Sequence, residues 1–301
     1  FEPSQTNWLL QQHVSSELRS ALQMVYRAEA NIGYLQPGYD IARGYLIDLL
    51  GFLVPLLDRT DIDGPILEVG CGGCEVLGQL KDRGYSVFGV DPSPIAEFWG
   101  QEKNIKIFSE NFDPTHFRRE FRMAFCSDVL EHVELPVDFV SDIKKIVKDG
   151  GVVVVAVPDC TSGLRLGDVS FAMHQHLNYF TEASLGVCLR LAGLKDVSVS
   201  RSGYGGSIYG VGIVQDSFSP TGSGAESSDL TALKDFAVKE RQSFLEIFKR
   251  KMNNVRENIE DALMRGENCA FYAPLRALPY LTSEGMQSYQ SQIRFLDDTR
   301  H

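Results

Sequence analysis

Cysteine and tryptophan are scarce in this chain of 301 residues, at six and two. The cysteines are scattered through strand-like and helical runs, which excludes a disulfide framework and fits reduced thiols. No apolar run approaches the ~18 residues of a membrane span, and no secretory leader pattern opens the chain. Basic residues are also short: 29 Lys+Arg against 40 Asp+Glu gives a net charge of −11. A body this acidic repels phosphate backbones and anionic lipid, so neither nucleic acid nor a membrane is expected as a partner. A cytoplasmic location and a small-molecule substrate are the expectations left. The 44% hydrophobic and 23% charged residues are ordinary globular proportions. The chain opens on Phe1 and stops at Asp297–His301, just past a strand pattern, and is read as part of a longer protein.

Periodicity divides the chain. Trp8 to Ala28 and Ile41 to Leu57 read as helices, separated by a Gly/Pro-punctuated loop at 32–39. From Pro65 short apolar runs alternate with helical segments: strands at Ile66–Val69, Ser86–Val90, Ile105–Phe108, Met123–Cys126 and Val152–Val157, helices at Glu75–Arg83, Pro94–Glu102 and Pro136–Val147. Fully apolar strands alternating with helices predict a parallel sheet covered on both faces, a doubly wound α/β fold. Leu194–Ser200 and Ile208–Val214 read as two further strands at an antiparallel edge. Residues 217–228, rich in Ser, Gly and Pro, read as a linker. Beyond it a helix of about 35 residues carries Phe244, Phe248, Met252, Val255, Ile259 and Leu263 in one stripe, either a solvated connector or the seam of a homodimer. The remainder, Cys269–Leu281 and Ile293–Asp297, reads as the β–α–β opening of another Rossmann-like unit.

The strongest motif is Glu68-Val-Gly70-Cys71-Gly72-Gly-Cys74-Glu75, an apolar strand running into a glycine turn that opens a helix. Such a turn binds nucleotide-like ligands at the carboxyl edge of a sheet, because Gly70 and Gly72 permit positive φ and expose backbone. Glu75 stands where a dinucleotide fingerprint has its last glycine. An acid there would face a pyrophosphate, which argues for a cofactor without phosphates and against NAD. Asp91, ending the next strand before Pro92, lies near the ~20-residue offset at which a carboxylate meets ribose hydroxyls. Cys71 and Cys74 form a C-x-x-C with no second pair to complete a zinc site.

His174-Gln175-His176-Leu-Asn-Tyr179-Phe180-Thr181 follows the fifth strand and so projects from the same edge, with Thr181 as the N-cap of a helix reaching Leu191. Histidine, with an ordinary pKa near ~6.5, suits a base at neutral pH. No further ligand is spaced to complete a metal site with this His-x-His, and no metal is expected. Tyr34 and Tyr39, in the loop before the second helix, are candidates to line the substrate site as part of a lid.

Glu68-Val-Gly70-Cys-Gly72, Val90-Asp91 and Cys126-Ser127-Asp128-Val-Leu-Glu-His132-Val resemble the class I S-adenosylmethionine-dependent methyltransferases over roughly residues 65–215. The resemblance implies that Glu68, Gly70, Cys71 and Gly72 hold the methionine end of S-adenosyl-L-methionine, and that Asp91 and Pro92 lie at the ribose. It also implies that Asn111 and Phe112 lie by the adenine, that Ser127 and Asp128 lie alongside the cofactor, and that His132 lies by the substrate. His174-x-His176-x-x-Tyr179-Phe180, with Gly205-Gly206-Ser207, is similar to sugar C-methyltransferases acting on nucleotide-linked keto-deoxysugars. That likeness implies His176 as the base beside a keto group, supported by His174 and Tyr179. Gln175 and Cys74 stand where the families have Glu and Gly. The domain expectations are a helical cap at 1–60, the cofactor domain at 61–216, a linker at 217–228, and the long helix with a partial Rossmann-like domain at 229–301. Methyl transfer to oxygen or nitrogen of a natural-product intermediate, or a methyltransferase-like scaffold without turnover, are the alternative functions.

Overall fold

The computed structural model describes residues 2–3, 8–12, 14–28, 40–59, 61–168, 175–215, 223–272 and 293–296. In chain order these form β1 (Glu2–Pro3), β2 (Leu10–Gln11), α1 (Ser16–Ala28), α2 (Asp40–Arg59), β3 (Ile66–Val69), α3 (Glu75–Asp82), β4 (Val87–Val90), α4 (Pro94–Glu102), β5 (Lys106–Phe108) and β6 (Phe121–Ser127). There follow α5 (Pro136–Ile146), β7 (Val147–Pro158), α6 (Thr161–Leu166), β8 (Asn178–Tyr179), α7 (Glu182–Leu191), β9 (Lys195–Arg201), β10 (Ser207–Ile213), α8 (Ser223–Met264), β11 (Cys269–Tyr272) and β12 (Ile293–Leu296).

Seven strands make the central sheet in the order β5-β4-β3-β6-β7-β10-β9. The first five run parallel, and β10 is antiparallel to both neighbours, as the sequence predicts for a late edge. Both faces of β7 are buried by the period of two: Val153, Val155 and Val157 join one core, Val152, Val154 and Ala156 the other. The first core packs against α5 and α7, the second against α2, α3 and α4. All six cysteines are free thiols.

Three expectations change. The segment read as one helix from Trp8 begins instead as β2, where Leu10 pairs with Tyr179 and Gln11 with Asn178 in a small antiparallel sheet. Helix α8 starts at Ser223, inside the expected linker, and runs 42 residues. Its stripe does not wait for a partner: Phe244 packs with Leu10, Cys160, Leu164 and Tyr179, and Met252 and Ile259 pack with Ile293. The apolar face expected as a dimer seam is therefore used within the chain. Of the second α/β unit, the described part is the parallel pair β11 and β12.

Candidate active site

The parallel strands end together because their carboxyl edges are tied by backbone bonds. Gly70 N–H donates to Val90 O at 2.8 Å, Asp91 N–H to Phe108 O at 3.1 Å, and Asp128 N–H to Ala156 O at 3.0 Å. The turns after β3, β4 and β6 thus open at one crevice, where a Rossmann-like sheet holds its ligand.

The glycine turn has the shape its composition requires. Gly70 has φ +78°, and a Cβ there would lie 2.4 Å from Val129 Cγ2. Gly72 has φ +43°, but a Cβ there would meet nothing within 4 Å, so its backbone faces open space. Gly72 N–H donates to Asp91 Oδ2 at 2.9 Å, and Ser93 donates to Oδ1 from both its backbone N–H and its hydroxyl. Of the ~four lone-pair directions of a carboxylate, three are taken. Asp91 thus keeps room for one ribose hydroxyl rather than for both. Cys74 takes the left-handed conformation, φ 56° and ψ 27°, which explains why glycine is favoured at that step. Cys71 is buried, and Pro92 lies half-buried beside Asp91. Glu75 is turned to Lys103, Oε1 to Nζ 2.8 Å, so the acid expected to oppose a pyrophosphate is already paired.

Beneath the turn, Glu68 is a buried acid on an apolar strand, with Oε2 left without a hydrogen-bond partner. Burial pushes its carboxyl well above the ordinary range, with Cys74 and Asp91 adding to the rise.

On the far side of the crevice Asp128 is exposed, with φ 54°, and Ser127 is half-buried. A short turn, Leu130–His132, follows, and the histidine segment is stapled to it. Leu177 N–H donates to Glu131 O at 2.7 Å, and Asn178 Nδ2 donates to Leu130 O at 3.1 Å and Val133 O at 2.6 Å. His132 Nδ1 donates to Gln175 O at 2.7 Å, and the His176 ring meets the His132 ring edge-on with centroids 5.0 Å apart. Burial lowers the pKa of both histidines, His176 to about 4 with His132 adding to the fall, so both are neutral at pH 7.

His132 and His176, forty-four positions apart in sequence, are brought together ring against ring. Phe112 is half-buried against Phe117 and Phe139, with Asn111 exposed next to it at the β5 end of the crevice. Tyr179 is placed elsewhere: it is 1% exposed in the core beneath α8, and its hydroxyl donates to Gln12 Oε1 at 3.3 Å. In this position it anchors β8. His174, Tyr34 and Tyr39 lie outside the described residues. Sequence reasoning passed over Glu131, adjacent to His132 in the Asp128–Val133 motif. It also passed over Tyr209, whose hydroxyl donates to Asp48 Oδ2 at 2.7 Å beside Ser202. No periodic signal marks that contact, because it joins α2 to β10.

A doubly wound sheet with this strand order, an acid–glycine turn after its first central strand and an aspartate after the next defines a Rossmann-like protein of the class I methyltransferase type. The sequence profile described as "Methyltransferase domain" matches residues 41–199. That is more than half of the chain, and the chain belongs to this family, whose cofactor is S-adenosyl-L-methionine. Among curated relatives, it is 29% identical over 118 residues to a mitochondrial ubiquinone biosynthesis O-methyltransferase of Schizosaccharomyces pombe, covering 36% of this chain and 43% of that protein. It is 28% identical over 166 residues to a tRNA U34 carboxymethyltransferase of Idiomarina loihiensis, covering 49% of this chain and 50% of that protein. The chain thus spans about half the length, or less, of these relatives. The crystal structure of the PH0226 protein from Pyrococcus horikoshii OT3 shares the fold, with TM-score 0.51 and 16% identity, over 64% of this chain and 99% of that one.

The residues present fit this cofactor. The unpartnered, buried carboxylate oxygen of Glu68 suits a cationic or N–H-bearing group, and the open face of Gly72 admits a ligand against backbone. Glu68, Gly70, Gly72 and Asp91 are the residues that would hold it.

Proposed function

We propose that the chain transfers a methyl group from S-adenosyl-L-methionine to an oxygen of a small polar metabolite whose hydroxyl is itself acidic. The observation that carries this reading is the sharing of one sheet edge by the Glu68–Gly72 turn and the His132–His176 pair. The bound cofactor supplies an electrophilic methyl on a sulfonium sulfur, which leaves as a neutral thioether when the acceptor's electron pair forms the new bond. The chain's own work is to align acceptor and methyl in line and to take the acceptor's proton. Glu68, Gly70, Cys71 and Gly72 line the methionine end, Asp91 and Pro92 the ribose, Asn111 and Phe112 the adenine, and Ser127 and Asp128 the flank of the crevice. His176, uncharged, receives the proton, and His132 holds it in place.

Oxygen is preferred over a carbon beside a keto group for two reasons. Gln175 stands where the C-methylating pattern has a carboxylate, so no charge from that side chain supports an imidazolium. The S. pombe relative is itself an O-methyltransferase by name. A tRNA acceptor, as in the I. loihiensis relative's name, is opposed by the net charge of −11. Calorimetry with S-adenosylhomocysteine and with NAD tests the cofactor half: binding of the former is expected, and binding of NAD alone would overturn the reading. With an acceptor in hand, solvent deuterium entering a carbon beside a keto group would return the assignment to C-methylation.

A further inference from the structure

Cys71 and Cys74 flank the two glycines of the cofactor turn, and at Cys74 glycine would carry no backbone strain. The turn brings the pair together. Cys74 N–H donates to Cys71 O at 2.8 Å, closing a four-residue turn over Gly72 and Gly73. A β-turn keeps its end Cα atoms within ~7 Å, which overlaps the ~4.4–6.8 Å span of a disulfide. The two thiols face each other closely enough to hydrogen-bond. Cys71 is held fast: its Sγ lies 2.5 Å from where a Cβ on Gly89 would be, so the neighbouring strand admits the sulfur only through a glycine. Cys74 Sγ lies 3.7 Å from the carbonyl oxygen of Gly72, the residue whose backbone faces open space. The sulfurs also differ in acidity. The hydrogen bond from Cys71 lowers the pKa of Cys74 against the effect of burial, with Lys103 adding to the fall, while the same bond and burial raise that of Cys71. Cys74 is thus the sulfur that loses its proton and reacts first. Cys126, Cys160 and Cys188 are pushed up chiefly by burial.

We propose that Cys71 and Cys74 are a redox modification site, which a hydroperoxide converts to a disulfide that disables the cofactor turn. Both sulfurs are buried, at 2% and 0% exposed, so a small oxidant has the advantage over a bulky protein or peptide disulfide. With hydrogen peroxide, the Cys74 thiolate attacks one oxygen; an S–O bond forms as the O–O bond breaks, and the departing hydroxide takes a proton to become water. The Cys71 sulfur then attacks Cys74. The S–S bond forms as the S–O bond breaks, and the Cys71 proton leaves with the oxygen as a second water. The sulfur pair is oxidised by two electrons, the peroxide is reduced by two, and a dithiol reverses the change. Reaching an S–S bond of ~2.05 Å from a hydrogen-bonded contact draws the sulfurs together by more than ~1 Å. Because Cys71 is packed against Gly89, the movement falls on Gly72 to Cys74, where Gly72 N–H holds Asp91. The effect on the cofactor rests on the methyl-transfer reading; the link itself does not.

The test uses the full chain, reduced with dithiothreitol, freed of reductant and exposed to hydrogen peroxide. The expected product is lighter by two hydrogens, and peptide mapping places the link between Cys71 and Cys74. Its affinity for S-adenosylhomocysteine, by calorimetry, should fall at least ~10-fold, the order of one lost hydrogen bond to a charged group, and return with dithiothreitol. Cys74→Gly, which keeps the left-handed step, should bind S-adenosylhomocysteine equally before and after peroxide. Thiols that stay reduced, a chain that only gains oxygen, or a linked chain that binds S-adenosylhomocysteine as tightly as the reduced one would each overturn the proposal. So would a Cys74→Gly chain that peroxide weakens as much as the parent. A chain that forms the link yet binds no S-adenosylhomocysteine even when reduced sinks the cofactor reading alone and leaves the modification site standing.

Discussion

Glu68 is buried where its charged form is penalised, and this shows in how stability depends on pH. Its folded-state pKa is raised well above the ordinary 4.5, so the native chain binds more protons than the unfolded one between those two values. Stability from this group is therefore complete below about pH 4.5 and is lost as pH rises toward the folded value. Glu68→Gln removes that loss. The expected outcome is a higher unfolding temperature for the ligand-free variant at pH 7–8 with a flatter pH profile, checked by calorimetry across pH. The same variant should bind S-adenosylhomocysteine about 10–100-fold more weakly, the worth of a ~1.5–3 kcal/mol hydrogen bond to a charged group. A second residue trades in the same way. Cys74 holds a left-handed backbone at ~1–2 kcal/mol of strain, offset by a side chain buried against Ala96. Cys74→Gly should stay within about 1 kcal/mol of the parent by chemical denaturation. Cys74→Val, β-branched in a left-handed position, should cost more than ~2 kcal/mol and disturb the turn.

Among the elements, the short strand β8 has an influence out of proportion to its two residues. Asn178 is buried, accepts from Gln11 Nε2 at 2.6 Å, and donates to two carbonyls of the turn that carries Glu131 and His132. Asn178→Ala leaves two carbonyls and one amide without their partner, at ~1–3 kcal/mol for each that stays dry. A loss of about 3 kcal/mol or more is expected by denaturant titration. Faster amide exchange at His132 and Leu177, with exchange in β3 and β4 unchanged, would localise the effect to the staple. Elements of this kind were illegible in the sequence. Strand β3 and helix α4 could be read to the residue, because an apolar run interrupted only by Glu68 meets a glycine in one case and Pro94 opens an amphipathic turn in the other. A strand of two residues carries no period, so Leu10 and Gln11 were absorbed into a neighbouring helical pattern, and the burial of Tyr179 beneath α8 could not be read. The cofactor turn was legible because its chemistry is local. The Glu131–His132–His176 cluster was not, because its members meet only through backbone bonds between distant loops.

At the scale of the whole molecule, α8 decides whether the chain behaves as a methyltransferase body with a tail or as one cooperative unit. A connector would expose its apolar stripe or lend it to another subunit. Here Phe244 is 0% exposed among residues from β2, α6 and β8, and Gly167 lies so close to Ile247 and Phe248 that a Cβ there would meet the Phe248 backbone N at 2.9 Å. Helix α7, which follows the histidine segment directly, also packs on α8. Truncating Phe244 to Ala should therefore cost ~3–5 kcal/mol, the range for emptying a fully buried aromatic site, and lower the unfolding temperature by ~6–10 °C at ~2 °C per kcal/mol. Met264→Ala, at a side chain 78% exposed, should change stability by less than ~0.5 kcal/mol and serves as the control. Calorimetry separates the alternatives. If α8 belongs to the body, Phe244→Ala shifts the single main transition, and S-adenosylhomocysteine raises the midpoint of variant and parent alike. If α8 were a connector, the main transition would stay put and only a minor one would move. Light scattering checks the other half: because the stripe is consumed within the chain, the mass in solution should be the same for Phe244→Ala as for the parent, whereas a seam between subunits would show a smaller particle.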